Sequence, residues 1–443
     1  MGVLGKNYFH TVATNVVLKL VLGLAIGVVT ARALGPAGRG EYNLLVLVVT
    51  TFTTLLNFGI PASNTYFVAK RGIPKEKLLR ASFLIALVVS AFSFLLLFVL
   101  YMTGYLSFLF PVEKLTLPIV ASLGIIPIAF FNLFAQGIIV GENKIFLNNY
   151  IYLGSQSTLA AALTLAYAFG ILTVPLAIVF FAVSNLVAFG IIAVAYRSTL
   201  FAGMLPRMEW REYKKLLGFS MPLQAGIIIQ FFNYRLDAFL VNYFLGTLSV
   251  GLYVMAVNLV EILWLLSSSM AAVLLPTVAS QHEHSKKISV KAAMASFGVT
   301  VIGGIGAFIF APPLIMLLFG KDFAGSIAPF LILLPGIMIF SITNVLAAYM
   351  TGIGKPGFNT AIALISLVFT VILDLVLIPR IGIAGAAFAS SVSYTVTSLM
   401  SLVIFIRLSG LTWAECGEYM ASFKGDFQSI VSRARLKMLS IVS

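Results

Sequence analysis

The chain alternates long apolar segments with short polar connections along almost its whole length. Each apolar segment approaches the ~20 residues that an α-helix needs to cross a bilayer, and none alternates as a membrane β-strand does. The pattern therefore predicts an all-α polytopic membrane protein with twelve transmembrane helices. The predicted spans are residues 11–31, 43–68, 81–103, 118–140, 149–170, 174–196, 217–241, 250–275, 291–311, 329–352, 359–378 and 382–407.

The polar connections predict how these spans are oriented. If the N-terminus is cytoplasmic, 21 lysines and arginines fall on the cytoplasmic side and five on the outer side. Because basic residues accumulate in cytoplasmic loops, both termini are expected in the cytoplasm. The longest connection between spans, residues 197–216, is too short for a soluble catalytic domain.

The composition supports this class and excludes others. Of the 443 residues, 60% are hydrophobic and only 9% are charged, far from the usage of soluble globular domains. The net charge of +14 does not indicate a nucleic-acid partner, because the basic residues are spread over short loops. The single cysteine, Cys416, and three histidines in flanks or loops form no metal-binding pattern, so we expect neither a metal site nor a cofactor.

Two different motifs recur at the same offset of 211 residues. The pattern L-G-x-x-x-x-G-x-Y occupies residues 34–42 and 245–253, and G-x-x-K-x-x-x-N occupies residues 141–148 and 352–359. Each copy follows the corresponding span of its half. Two motifs at one offset indicate that a six-span unit has been duplicated.

The duplication predicts the domain organisation. We expect an N-terminal six-helix bundle (1–196), a basic cytoplasmic linker (197–216), a C-terminal six-helix bundle (217–407) and a cytoplasmic tail (408–443). Since each half has an even number of spans, the halves share their orientation, as in parallel-repeat transporters that bind substrate between the halves. The aromatic and basic tail is compatible with interfacial helices and equally with a solvated segment.

Three segments carry a family resemblance. These are residues 31–42 (ARALGPAGRGEY), Asp237 followed by the motif at 245–253, and residues 378–394 (IPRIGIAGAAFASSVSY). With them, the chain resembles the Wzx-type polysaccharide flippases of the superfamily that also contains the MATE antiporters and MurJ lipid flippases. The resemblance covers all twelve spans and implies two six-helix bundles that flip an undecaprenyl-pyrophosphate-linked oligosaccharide at the plasma (inner) membrane.

Cations inside the predicted spans are candidates for binding such an anionic substrate. Lys19 shares a helix stripe with Asn15, and Arg235 lies near Asn233 on the seventh span. A charge in hydrocarbon costs roughly 2.5–3.5 kcal/mol on insertion scales, so such residues normally face a protein interior or a wet cavity. We expect these four residues to bind the pyrophosphate and glycan, with structural salt bridges as the alternative.

Three carboxylates lie within spans as well: Asp237, Glu261 and Asp374. They are candidates for exchanging a coupling ion, H⁺ or Na⁺, and structural pairing is again the alternative. Arg235 and Asp237 are two residues apart, about 200° around the helix, so they do not face the same side. We expect membrane lipids and other polysaccharide-assembly proteins as partners, and a monomeric transporter.

Two other functions compete with glycan flipping. A MATE-like ion-coupled exporter of small cationic molecules would need carboxylates in the N-terminal spans, which contain none but do contain Lys19. An integral-membrane glycan-processing enzyme would need acidic or metal-ligating residues gathered on a sizeable loop, which the sequence does not provide. The expectation is therefore a transporter and not an enzyme.

Overall fold

The protein is described by a computed structural model that covers residues 3–104, 117–200, 208–280, 285–412, 414–415 and 417–419. Within these residues the chain forms α-helices joined by short turns, with one 3-10 helix, Lys321–Ser326. The helices are α1 (Val3–Leu55), α2 (Ile60–Ala69), α3 (Lys75–Met102), α4 (Leu117–Gly124), α5 (Ile126–Gly141), α6 (Ile145–Ala168), α7 (Val174–Ala195), α8 (Arg197–Leu200), α9 (Trp210–Ser280), α10 (Ser285–Phe319), α11 (Ile327–Gly352), α12 (Gly357–Ile381) and α13 (Ile383–Ser409).

The predicted spans lie on these helices. Nine helical stretches of the residues described above are long and apolar enough to cross a membrane, and two of them, Leu20–Leu55 and Trp210–Ala271, extend over parts of two predicted spans each. Helix α6 overlaps the predicted span 149–170 but is not among those nine. An all-α membrane protein is confirmed, whereas the number of crossings and the side of the termini stay predictions. Most of the predicted tail lies outside the described residues.

The predicted span 43–68 is wrong as one continuous helix. Helix α1 ends at Leu55 and α2 begins at Ile60. Between them, Phe58 and Gly59 have positive φ angles of 50° and 67°, and the Asn57 side chain accepts a hydrogen bond from the Gly59 amide at 2.8 Å. This local polar turn replaces helical hydrogen bonds, so hydrophobicity alone did not reveal it.

Helix α3 exposes large apolar side chains and buries small ones, as a helix surrounded by lipid does. Its buried face carries small residues such as Ser82, Ser90 and Ser93, whereas large apolar side chains such as Val88 and Phe98 are exposed. In lipid there is no hydrophobic drive between helices, so close packing through small residues holds them together. The hydroxyls of Ser90 and Ser93 donate to carbonyl oxygens one turn earlier, at 2.6 and 2.8 Å.

The chain divides into two compact units. The first unit comprises the described residues up to Val254 together with Ile315–Ala324, and the second comprises Met255–Leu314 and the described residues from Gly325 onward. The division of the chain at residues 197–216 stays a prediction. The first unit has buried side chains from α1, α2 and α5, among them Leu44, Leu45, Ile60, Phe130 and Phe134. The second is built around Val345, Leu346, Tyr349, Met350, Ile362 and Phe405.

The two copies of the first repeated motif have the same backbone conformation. Gly35 in α1 has φ 64° and ψ −179°, and Gly246 in α9 has φ 77° and ψ 179°. Both values are outside the helical region and in the part of φ space that favours glycine. Each glycine therefore bends a long helix at the point where the sequence predicts a boundary between two spans.

The second glycine of each motif copy makes a close helix contact with the other copy. A Cβ atom added to Gly40 would lie 1.9 Å from the carbonyl oxygen of Thr247, and one added to Gly251 would lie 1.9 Å from the carbonyl oxygen of Pro36. Pro36 and Thr247 are themselves 211 residues apart. Inside the first unit, each motif copy therefore contacts the other through equivalent residues. Only glycine allows the two backbones to approach this closely.

The second repeated motif also forms the same turn twice. Asn143 and Gly354, again 211 residues apart, have φ angles of 57° and 77°. The Lys144 amide donates to Ile139 O at 3.1 Å, and the Lys355 amide donates to Met350 O at 2.9 Å. Equal conformations and equal hydrogen bonds at one offset support a structural duplication.

Candidate functional site

Asp237 is buried in α9 and is held by the repeated motif. Its side chain is 6% exposed, its Oδ2 accepts a hydrogen bond from the Tyr253 hydroxyl, and its Oδ1 accepts one from the Ala238 amide at 2.7 Å. Tyr253 is the tyrosine of the second motif copy and is fully buried. The bend at Gly246 brings it back toward Asp237, a partner that sequence analysis missed although both residues had been singled out.

The predicted substrate-binding residues lie on the two kinked helices. Arg235 and Asn233 are partly exposed on α9 in the first unit. Lys19 and Asn15 lie on α1, and their side chains are outside the described part of the structure. Glu261 is partly exposed on the segment of α9 that belongs to the second unit. The roles of these residues stay predictions.

Asp374 lies in the second unit beside a chain of hydrogen-bonded hydroxyl groups. Ser366 and Ser393 are 2.7 Å apart, Thr370 donates to Ser393 at 2.6 Å, and Thr397 donates to Ser366 at 2.8 Å. Asp374 follows Thr370 by one helical turn on α12 and is completely buried. Burying a carboxylate is costly, which makes Asp374 a candidate for ion exchange.

A polar cavity of about 370 Å³ lies within the first unit and was not predicted. We call it the amide cavity, because the amide side chains of Asn132, Gln136, Asn148, Gln156 and Asn185 line it. The hydroxyl groups of Thr53, Tyr152, Ser155 and Ser184 contribute further polar lining. No charged side chain lines it among the described residues. Four amides within otherwise apolar predicted spans, with Asn148 directly before one of them, were the signal that could have indicated it.

A cluster of charges near the ends of α5 and α7 fixes Glu142. Its carboxylate contacts Lys75 Nζ at 2.8 Å and Lys144 Nζ at 2.9 Å, and it accepts a hydrogen bond from the Tyr196 hydroxyl. Burial alone would raise the pKa of Glu142, but the hydrogen bonds from Lys75, Tyr196 and Lys144 outweigh it and lower the pKa from 4.5 to about 2. The cluster links the ends of four helices rather than forming an open site.

Arg39 is one of the five basic residues expected on the outer side of the membrane, and its side chain is buried. Arg39 lies within the kinked helix α1 and is only 4% exposed. Its Nη1 donates to the Gly27 carbonyl oxygen and to Thr30 Oγ1 at 3.2 Å, and its guanidinium lies 5.9 Å from the Phe319 ring centroid. The buried cation thus ties the two arms of the first bend, as Tyr253 and Asp237 tie the second.

Sequence comparison relates the chain to glycan-biosynthesis proteins. Residues 29–328 match the family described as "Polysaccharide biosynthesis protein". The chain is 25% identical over 236 residues to the probable low-salt glycan biosynthesis flippase Agl15 of Haloferax volcanii, covering 48% of this chain and 50% of that protein. It is also 25% identical over 233 residues to an uncharacterized membrane protein of Methanocaldococcus jannaschii, covering 51% and 46%. The chain therefore spans about half the length of the curated relatives it matches.

Structure comparison identifies the fold. The lipid II flippase MurJ in an inward closed conformation has a TM-score of 0.74 at 16% identity, covering 96% of this chain and all of that one. An inward-facing multidrug resistance MATE family transporter has a TM-score of 0.73 at 14% identity, covering 88% and 94%. A transporter of the same superfamily from Pyrococcus furiosus has a TM-score of 0.64 at 13% identity, covering 89% and 93%. The resemblance to this superfamily is confirmed; at these identities it establishes the fold alone.

Proposed function

Because the chain belongs to the family of polysaccharide biosynthesis proteins, we propose that it flips an undecaprenyl-pyrophosphate-linked oligosaccharide from the inner to the outer leaflet by alternating access. The observation that carries this proposal is the family match over residues 29–328. A curated relative named as a glycan biosynthesis flippase and the fold shared with a lipid flippase support it. The family contains transporters and not enzymes, which argues against a glycan-processing enzyme.

In this proposal the cations on the kinked helices bind the pyrophosphate. Lys19 acts as a mobile point charge, and the planar guanidinium of Arg235 donates several hydrogen bonds in a fixed fork. Asn15 and Asn233 add neutral hydrogen-bonding groups near them. Two cations with two neutral amides beside them suit a substrate whose anionic group is followed by a neutral glycan.

The buried carboxylates couple the cycle to an ion, H⁺ or Na⁺, in the same proposal. Asp237 and Asp374 are both at least nine-tenths buried, and Glu261 is partly exposed. Binding of a proton or cation changes the charge that must be buried, so it biases the equilibrium between conformations that bury these groups differently. No cofactor is needed for this process.

A MATE-like exporter of small cationic molecules remains the second candidate, because MATE transporters share the fold. The amide cavity argues against it. Its lining, as far as the structure describes it, consists of amide, hydroxyl and apolar groups without a carboxylate. Such a lining offers a cationic drug no opposite charge.

The protein is a multi-pass membrane protein. We place it in the plasma (inner) membrane as a monomer with cytoplasmic termini. There it would act with other polysaccharide-assembly proteins, for example in lipopolysaccharide biosynthesis, and meet membrane lipids and its lipid-linked substrate.

The proposal is tested by deletion and complementation. Deletion should cause a lipid-linked glycan to accumulate in the cytoplasmic leaflet, and the wild-type chain should remove it. Arg235→Ala should still insert but fail to remove the glycan, whereas Arg235→Lys should restore removal in part. Arg211→Ala, at an exposed position near the start of the same helix, is the control and should behave as wild type. Deletion without any accumulated lipid-linked glycan would contradict the proposed function.

A further inference from the structure

We propose that the amide cavity of the first unit is a sugar subsite that binds one neutral pyranose ring through hydrogen bonds to its hydroxyl groups. The proposal rests on the proposed function, since it assigns part of the glycan to a place within the protein. It concerns residues separate from the cations expected to bind the pyrophosphate.

Asn132 provides the most specific indication of a ligand. The residue is 4% exposed, lines the cavity, and donates from Nδ2 to the Asn185 carbonyl oxygen at 2.9 Å. Its buried Oδ1 has no hydrogen-bond partner among the described protein groups. Leaving a buried acceptor unsatisfied costs free energy. A ligand that donates a hydrogen bond to this oxygen, such as a sugar hydroxyl, would therefore be stabilised there.

Three further amides offer hydrogen bonds that the protein leaves unused. Gln136, Asn148 and Gln156 line the cavity and are partly buried. None of their side chains forms a hydrogen bond within the part of the chain that the structure covers. An amide group both donates and accepts, which matches a hydroxyl group that does the same. A cation would use only the acceptors, and an anion only the donors.

The cavity is large enough for one sugar ring. Its volume of about 370 Å³ lies in the lower part of the ~300–1,000 Å³ range of small-molecule sites. At ~30 Å³ per water, this space would hold about a dozen water molecules, which leaves enough room for one hexose ring. The rings of Tyr152 and Phe181 also line it and give the C–H faces of a pyranose an apolar surface.

The second half of the chain does not repeat this lining. At the offset of 211 residues, Asn132, Gln136 and Gln156 correspond to Thr343, Ala347 and Leu367. Thr343 is hydrogen-bonded to Ser398 at 2.8 Å, so the equivalent position is satisfied internally.

The one amide that both halves retain has a different environment in each. Asn148 lines the cavity, whereas its counterpart Asn359 donates to Ala347 O at 3.0 Å and to Thr351 Oγ1 at 3.1 Å. The helical framework therefore does not require the amides of the first half. Polar side chains within membrane spans are costly and usually functional, and the restriction of the other four amides to one half points to ligand binding.

Binding of neutral sugars to the purified full-length protein in lipid nanodiscs tests the proposal. The probes are the methyl glycosides of glucose, galactose, mannose and N-acetylglucosamine, and saturation-transfer NMR titration measures their affinity. At least one should bind, and Gln156→Leu should weaken it about tenfold or more through lost hydrogen bonds. Ser157→Leu, at the exposed neighbouring position on α6, is the matched control and should leave binding unchanged.

Three outcomes separate the cavity from the alternatives. Binding that survives in both Gln156→Leu and Gln136→Leu, or no binding of any of the four glycosides, overturns the sugar subsite. Stabilisation by Na⁺ without sugar binding overturns it as well and assigns the amide oxygens to a cation. A deletion strain without lipid-linked glycan would contradict the proposed function, yet sugar binding lost in Gln156→Leu would still support the cavity.

Discussion

The close contact between Gly40 and Gly251 yields a quantitative prediction. Replacing either glycine by alanine puts a methyl carbon 1.9 Å from a backbone carbonyl oxygen of the opposite helix, although real Cβ contacts are essentially never shorter than 3.0 Å. The obstructing atoms belong to backbone, so no side chain can rotate away. The helices must separate by about 1 Å or more, and overpacking of this kind costs about 1–3 kcal/mol.

Unfolding of the purified variants in one detergent measures this cost. Gly40→Ala and Gly251→Ala should each lower the free energy of unfolding and the thermal midpoint. Gly218→Ala, on the same helix α9 with no heavy atom within 4 Å of the added carbon, should be neutral or gain a little from helix propensity. The difference between these variants and Gly218→Ala therefore gives the steric cost of the added methyl group, separated from the change in helix propensity.

The double variant tests whether the two contacts form one crossing. Each added carbon would also lie near the backbone nitrogen of the other glycine, at 2.9 and 3.1 Å. A separation caused by the first methyl group therefore already accommodates much of the second, and the combined loss should be smaller than the sum. Fully additive losses would refute a shared crossing, and single variants as stable as Gly218→Ala would refute the close contact.

Two further predictions concern buried polar groups. Tyr253→Phe removes the hydrogen bond to Asp237 and should cost about 1–3 kcal/mol in the same unfolding assay, whereas Tyr150→Phe, at an exposed tyrosine, should cost nothing measurable. The pKa of Glu142 is lowered from 4.5 to about 2 in the folded protein, so its stabilising contribution is complete above about pH 4.5 and is lost as the pH falls toward 2. Thermal midpoints across this range should fall less steeply for Glu142→Gln; an equal slope would contradict the assigned role.

The sequence by itself determined the helical class and most element positions. Predicted segments 329–352 and 382–407 lie on helices Ile327–Gly352 and Ile383–Ser409. Hydrocarbon forces every backbone group of a span to bond within its own helix, so a continuous apolar run leaves little choice of structure. The repeat of the glycines was equally readable from the sequence, and the positive φ angles of Gly35 and Gly246 are a local requirement that glycine meets.

Only the tertiary structure decided which polar side chains meet. Arg39 looked like a loop charge, yet it is buried against Gly27 and Thr30 because the bend at Gly35 folds the helix back. The amide cavity takes its amide side chains from α5, α6 and α7. Asn132 and the Asn185 carbonyl oxygen, which are hydrogen-bonded there, are 53 residues apart in the sequence. Periodicity indicates the face of a helix on which a residue lies, but the neighbour of that face depends on how helices pack. That packing is set by contacts distant in sequence, such as the one between Gly40 and Gly251.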